Sequence, residues 1–329
     1  MRIVSPSIEI MRTGLETEFV TPEQFIEKVG RTCYKSEDKI TDDSAAKFVG
    51  NLIKRGHEAM IEHWSLICKP FPCWYDTFVR DWDTLLQTGS MRPFLRFTDT
   101  ITDTSRRCII SGNMRAWRDY IKTCIECFHG VPQYMWGMIR EYPIFFPEFQ
   151  EYVHAEKVNN VLNPISVPDL TEDEKRIHQD VTVKFICDRG VSHEIVRHRV
   201  ASFAQESTRY CNYGQDKFDN CITVVEPQFI KDAYFAGRQD IIHAWERGCV
   251  AAETEYFNLL EYGCTPQEAR SVLPNSLKTE VIVTMNLDGW DHFFELRDAA
   301  TAQPDMRYIA HMAKCQFEID DIWKFEKEE

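Results

Sequence analysis

Val181-Thr182-Val183-Lys184-Phe185-Ile186-Cys187-Asp188-Arg189-Gly190 sets apolar Val181, Val183, Phe185 and Cys187 against Thr182 and Lys184. Alternation with period two predicts a half-buried strand, and Asp188-Arg189-Gly190 leads from it into a short helix expected over Ser192 to Arg199. Immediately beyond lies Arg197-His198-Arg199-Val200-Ala201-Ser202-Phe203-Ala204-Gln205-Glu206-Ser207-Thr208-Arg209-Tyr210. Guanidinium forks bind phosphate bidentately and serine hydroxyls add neutral hydrogen bonds, so this segment suits a phosphorylated or otherwise anionic ligand. The alternative on composition is that these arginines pair with the chain's own carboxylates on a solvated face.

That density of positive charge is local. Over 329 residues the formal net charge is −14, which argues against a general nucleic-acid binder, because phosphate neutralisation needs a broad basic face. Hydrophobic residues at 43% and charged residues at 27% are those of a globular protein with a substantial core. No apolar run reaches the roughly 18–20 residues that span a bilayer, and no signal pattern opens the sequence, so no membrane association and a cytoplasmic location are expected. Twelve cysteines without a secretion signal read as reduced thiols. Cys124 and Cys127 form a lone CxxC beside His129; without a second ligand pair, no metal site is expected.

Working outward, Thr21-Pro22-Glu23-Gln24 carries the N-cap, N1 proline and N3 glutamine of a helix running to about Tyr34. Ala46, Val49, Leu52 and Ile53 mark a second helix closing at Gly56. Trp64 to Lys69 reads as a strand. Residues 74 to about 175 hold several helical stretches, notably Ser111 to Phe128, and a loop from Asn159 to Thr171. Further strands are expected over Ile222 to Glu226 and Val281 to Met285. Helices are expected over Gln228 to Tyr262 with a break near Gly237, after Pro266, over Trp290 to Leu296 and over Asp305 to Phe325. No linker divides the chain, so a single domain over 1–329 is expected.

Arg197-His198-Arg199, seven residues and then Ser207 resemble the signature of the flavin-dependent thymidylate synthases, with Ser207-Thr208-Arg209-Tyr210 as its ending. Two further blocks stand in the order of that family. They are Lys54-Arg55-Gly56-His57-Glu58 with Glu62-His63, and Glu268-Ala269-Arg270-Ser271-Val272-Leu273-Pro274, continuing into Thr284-Met285-Asn286, His292 to Arg297 and Ala302-Gln303. The resemblance covers 1–70 and 176–315 and leaves about 74–175 as a helical insertion. It implies an α/β (α+β-like) fold with a central, largely antiparallel sheet flanked by helices, and a homotetramer with shared active sites.

The resemblance also implies the chemistry: reductive methylation of dUMP to dTMP, with 5,10-methylenetetrahydrofolate as carbon donor, FAD as hydride carrier and NADPH as reductant. It assigns dUMP to Glu194, Arg197, Gln205, Glu206, Ser207, Arg209, Arg270 and Arg297. It makes Arg297 the catalytic residue, favouring the N3-deprotonated pyrimidine; a nearby cation stabilises such an anion. FAD is assigned to His57, Arg197, His198, Arg199, Gln205, Asn286 and His292. Taken singly, His57 also suits a helix cap and His198 a core histidine.

Four positions depart from the family pattern: Glu194 for a frequent glutamine, Ala204-Gln205 for Asn-Glu, Asp288 for an arginine and Ala59 for a threonine. Glu194 near a phosphate repels it unless an arginine pairs the carboxylate, and Asp288 removes an anchor for the adenine-nucleotide half of the flavin. Two other readings compete. Pro72-Cys73 invites comparison with a cysteine nucleophile, although only Lys69 offers a cation nearby. A nucleotide- or RNA-binding relative without catalysis would stack bases on Phe203, Tyr210 and Tyr213.

Overall fold

The computed structural model describes residues 1–11, 21–87, 94–101, 105–154, 162–215 and 218–325. The strands are β1 (Arg2–Val4), β2 (Ser7–Met11), β3 (Ser65–Pro70), β4 (Leu95–Ile101), β5 (Arg106–Asn113), β6 (Leu162–Pro164), β7 (Asp180–Asp188), β8 (Ser202–Gln205), β9 (Thr223–Val225) and β10 (Lys278–Asn286). Two four-stranded antiparallel sheets run in the orders β2-β7-β10-β8 and β4-β5-β3-β6, and β1 pairs with β9 in parallel. The α/β class with helix-flanked antiparallel sheets is as expected.

Register in the first sheet explains the site that follows. Val183 faces Val283, Thr182 faces Thr284 and Lys184 faces Ile282 across β7 and β10, so the alternation of the sequence becomes two faces of opposite character. Val181, Val183, Phe185, Cys187, Val281, Val283 and Met285 form the apolar face and pack under Leu287–Arg297 and Pro304–Ile319, around Trp290, Phe293, Phe294 and Phe317. Burying such a side chain contributes about 1.5–3 kcal/mol. The Trp290 indole donates to the Val181 carbonyl at 3.1 Å, so its polar edge is satisfied too.

The opposite face carries Thr182, Lys184, Glu280 and Thr284, and is covered by the helix Pro22–Tyr34 and the turn Glu58–His63. Thr21 closes a capping box with Gln24 at the start of that helix. Lys35 ends it in the left-handed conformation, φ 47°. Gly56, at φ 71°, ends the helix Ser44–Lys54 as the sequence implies, and His57 N–H returns to the Leu52 carbonyl at 2.9 Å.

The segment expected to be a helical insertion holds the helices Tyr75–Gln87, Met114–Phe128, Trp136–Glu141 and Glu172–His178. It also supplies β4, β5 and β6, which extend β3 into the second sheet around its own aromatic core. The helix expected from Ser111 begins only at Met114, because Ser111 to Asn113 complete β5. Residues 159–161 of the expected loop lie outside the described residues; from Leu162 on it contains β6 and the short turn Val167–Asp169. The segment also grips the site: Arg118 pairs with Glu58 at 3.1 Å and Arg115 with Glu62 at 2.5 Å, on the turn that follows His57.

The long helix splits into Gln228–Phe235 and Gln239–Glu261 at Gly237, φ 68°, and Gly263, φ 91°, follows its end. The last helix stops at Ile319 rather than Phe325, where Asp321 turns left-handed. Among the described residues no helix is long and apolar enough to cross a membrane.

Candidate functional site

The helix after β7 spans Arg189–Ile195, with Asp188 as N-cap accepting from Val191 N–H at 2.6 Å. It ends earlier than the expected Arg199. Arg197 to Arg199 therefore lie in the turn that returns the chain to β8, and Val200 completes that turn at φ 61°. A left-handed conformation costs a residue with a branched Cβ about 1–2 kcal/mol, so the surrounding contacts impose this turn.

One group of predicted site residues gathers there. Arg297, at the end of the helix Leu287–Arg297, donates from Nη1 to Glu194 Oε2 at 2.6 Å, from Nη2 to the Glu194 carbonyl at 3.1 Å and from Nε to His198 Nε2 at 2.9 Å. Glu194 Oε1 in turn faces Arg197 Nη1 at 3.4 Å. An arginine does pair Glu194, as the sequence required. His198 is buried against Phe293, with ring centroids 4.8 Å apart, and His292 lies 6.2 Å away. Burial first, then the Arg297 and His292 charges, push the His198 imidazole down to about 4, so it is neutral at pH 7. Arg199 is exposed, and His292 is exposed beside Glu295.

A second group surrounds Ser207. Its N–H donates to the Cys33 carbonyl at 3.0 Å, and the Tyr210 and Cys211 amides return to the Ser207 carbonyl at 3.0 and 3.1 Å, making one tight turn. Arg270 reaches the Thr208 hydroxyl at 3.2 Å and Arg209 reaches Gln267 at 3.1 Å, so two exposed guanidiniums flank this turn. Gln205 Nε2 points to the Ser192 and Thr279 hydroxyls at 3.0 and 3.3 Å. Glu206 is placed otherwise than a nucleotide contact: it is 3% exposed and holds Lys278 at 3.0 Å beneath the turn.

The third group is a cleft of about 600 Å³ between the helices Pro22–Tyr34 and Ser44–Lys54. His57 opens onto it with Arg55, and Lys39, Lys47, Tyr34 and Tyr210 line it further. The Tyr34 and Tyr210 rings meet tilted at 60° with centroids 5.2 Å apart, joining this wall to the Ser207 turn. Arg55 stood beside His57 in the first block of the sequence reading, whereas Lys39 and Lys47 escaped it. Asn286 serves as N-cap of the helix bearing His292 and Arg297, accepting from Gly289 N–H at 3.1 Å. Asp288, the departure from arginine, is paired with Arg176 at 3.0 Å.

The competing readings fare differently. Tyr213 is buried at 4% exposure and Phe203 packs against the main core, which leaves Tyr210 alone of the three proposed stacking platforms in the open. Cys73 is exposed on the short turn Pro72–Trp74. All twelve cysteines are free, and burial pushes the Cys33, Cys68 and Cys124 thiols up to about 12.

Arginines set around a neutral histidine beside an antiparallel sheet suit an anionic ligand. Residues 176–318 match the family model described as thymidylate synthase complementing protein. The chain is 34% identical over 137 residues to the flavin-dependent thymidylate synthase of Pyrococcus furiosus, covering 41% of this chain and 53% of the relative. It is 36% identical over 124 residues to that of Geobacter sulfurreducens, covering 37% and 49%. It is 39% identical over 122 residues to that of Sulfurisphaera tokodaii, covering 37% and 43%. The chain thus spans about half the length of the curated relatives it matches. A solved UMP/dUMP methylase, PolB from Streptomyces cacaoi bound with 5-Br dUMP, aligns over 97% of this chain and 93% of its own at 14% identity and a TM-score of 0.40. Over residues 176–318 the chain is thus similar to the flavin-dependent thymidylate synthases.

Proposed function

We propose that this chain is a flavin-dependent thymidylate synthase, a methyltransferase that converts dUMP to dTMP. The observation that carries the reading is Arg297 held against neutral His198 beside the Arg197 to Arg199 turn, inside the segment that matches the family. In this reading Arg209, Arg270 and Ser207 take the phosphate, where two guanidiniums flank a tight turn. Arg297 faces the uracil ring and stabilises charge on it as C5 attacks the one-carbon unit; no protein thiolate is required.

The donors present fit a dinucleotide flavin. The His57 cleft supplies the cations Arg55, Lys39 and Lys47 for a diphosphate and the ring of Tyr210 for a planar partner. When bound, FAD reduced by NADPH supplies the hydride that completes the methyl group, and 5,10-methylenetetrahydrofolate supplies the carbon. His57, His198, Arg199, Asn286 and His292 would hold the flavin. In this reading the chain assembles as a closed, symmetric homotetramer whose flavin sites bring His57 and the Arg197 to Arg199 turn together across subunits. A cytosolic place of action follows from this chemistry.

The test is absorbance and cofactor release from the purified protein, with dTMP formation from dUMP, methylenetetrahydrofolate and NADPH. Bound FAD and turnover are expected. A folded, colourless protein that FAD cannot reconstitute would sink the reading.

A further inference from the structure

Glu194 occupies the fork of Arg297 as a ligand would. Every nitrogen of that guanidinium is taken: Nη1 and Nη2 by the Glu194 carboxylate and carbonyl at 2.6 and 3.1 Å, and Nε by His198 at 2.9 Å. The same carboxylate reaches Arg197 at 3.4 Å, so one side chain spans two of the arginines assigned to the nucleotide. The carboxylate takes the Nη1 arm alone, and a deprotonated pyrimidine edge offers the same kind of charged acceptor for that arm.

The two halves of this grip are not equivalent. His198 is buried, neutral and wedged against Phe293, so it anchors Nε without contributing a counter-charge. The Glu194 side chain is 31% exposed, against 18% for Arg297, and solvent can receive it when it swings away. Nη1 can therefore exchange partners while Nε stays fixed. A carboxylate left in the fork would neutralise the cation that the bound ring needs.

We propose that Glu194 is a built-in competitor at the nucleotide site: it holds Arg297 aligned and neutralised in the unliganded chain, and an anionic pyrimidine gains that guanidinium only by displacing the carboxylate. This deepens the functional reading above and rests on it. It makes Glu194 a specificity-determining residue, because a ligand that offers no negative charge cannot take its place.

The test is calorimetric binding of dUMP to the flavin-loaded protein as wild type, Glu194→Gln, Arg297→Ala and the double variant, with kcat and KM alongside. Glu194→Gln keeps an acceptor for Nη1 but removes the charge. It should tighten dUMP by on the order of tenfold and lower KM, and the gain should vanish in the Arg297→Ala background. Equal or weaker binding by folded Glu194→Gln, or the same gain without Arg297, would overturn the proposal. If that variant does not fold, Glu194→Asp, whose shorter arm loosens the pairing, decides in the same way: tighter dUMP binding supports competition and unchanged or weaker binding ends it. Flavin content and dTMP formation report separately on the functional reading. Should both be missing while dUMP affinity still depends on residue 194 through Arg297, the functional reading falls and the competitor stands. If neither wild type nor variant binds dUMP, the competitor falls.

Discussion

Arg297 donates from Nε to Nε2 of His198 at 2.9 Å, which makes Nε2 the acceptor and leaves the imidazole proton on Nδ1. The arginine proposed to act on the pyrimidine ring and a buried histidine are thereby coupled. Arg297→Ala removes the second largest influence holding His198 down, after burial, so the imidazole should titrate above its present value of about 4 yet below the ordinary 6.5 or so. The same variant should lose kcat by roughly a hundredfold while keeping flavin, and Arg297→Lys should recover only part of it. Proton NMR titration of the histidine and steady-state kinetics read the two effects. An unmoved His198 with normal turnover at saturating dUMP would dismiss the activating role of Arg297.

Arg209 differs in kind, since it is exposed, with Nε donating to Gln267 at 3.1 Å and its guanidinium 5.7 Å from the Tyr210 ring. Arg209→Ala should raise KM for dUMP ten- to a hundredfold, the loss of a charge-assisted contact worth about 1.5–3 kcal/mol, and leave kcat nearly unchanged. A variant that loses kcat with an unaltered KM would move Arg209 from the phosphate to the chemistry.

The cleft at His57 yields a charge-reversal prediction. Lys39 and Lys47 are both exposed on its lining, so Lys39→Glu with Lys47→Glu should fold normally and bind FAD at least tenfold more weakly. Fluorescence titration with FAD at low and moderate salt checks this. Undiminished affinity would assign the flavin diphosphate elsewhere.

Cys73 sits exposed on the turn Pro72–Trp74, and the proposed chemistry gives it no part. Cys73→Ala should retain most dTMP formation, and mass spectrometry should find no covalent dUMP adduct on the wild type. Loss of turnover in a stable variant, joined with such an adduct, would replace the flavin route.

The alternation of Val181 to Cys187 and the Gly56, Gly237 and Gly263 breaks were legible because local periodicity and positive φ leave direct traces in sequence. So was the need for an arginine beside Glu194. What stayed hidden depends on contacts distant in the chain. β5 is a run of Arg106 to Asn113 without clear alternation because six of its eight residues are buried, and buried strands lose the period-two signal. The resemblance assigns Glu206 to the nucleotide, whereas its burial against Lys278, seventy-two residues away, leaves no trace in the local sequence.

Glu280 offers the test of that hidden polar layer. It lies on the covered face of β10, where its carboxylate meets Lys35, Lys278 and Lys184, the last at 2.9 Å, and Glu206 joins through Lys278. Burial alone would raise the Glu280 carboxyl; the Lys278, Lys35 and Lys184 charges outweigh it and hold it well below the usual carboxylate range. A carboxylate whose folded value is depressed contributes stability that is fully present above its unfolded value, about 4.3, and is lost as pH falls toward the folded value. Glu280→Gln leaves Lys278 and Lys35 sharing Glu206, with Glu37 beside Lys35, and leaves Lys184 only Glu9 at 3.8 Å, so it should destabilise the fold by about 3–5 kcal/mol at pH 7. The gap between wild type and variant should hold from pH 7 to about 5 and narrow below about 4.3. Because Lys35 also ends the helix whose Cys33 carbonyl receives Ser207 N–H, the variant should raise KM for dUMP as well. Urea denaturation across that pH range measures the gap, and one that stays constant down to pH 3.5 would show that the lysines do not depress Glu280 in the folded chain.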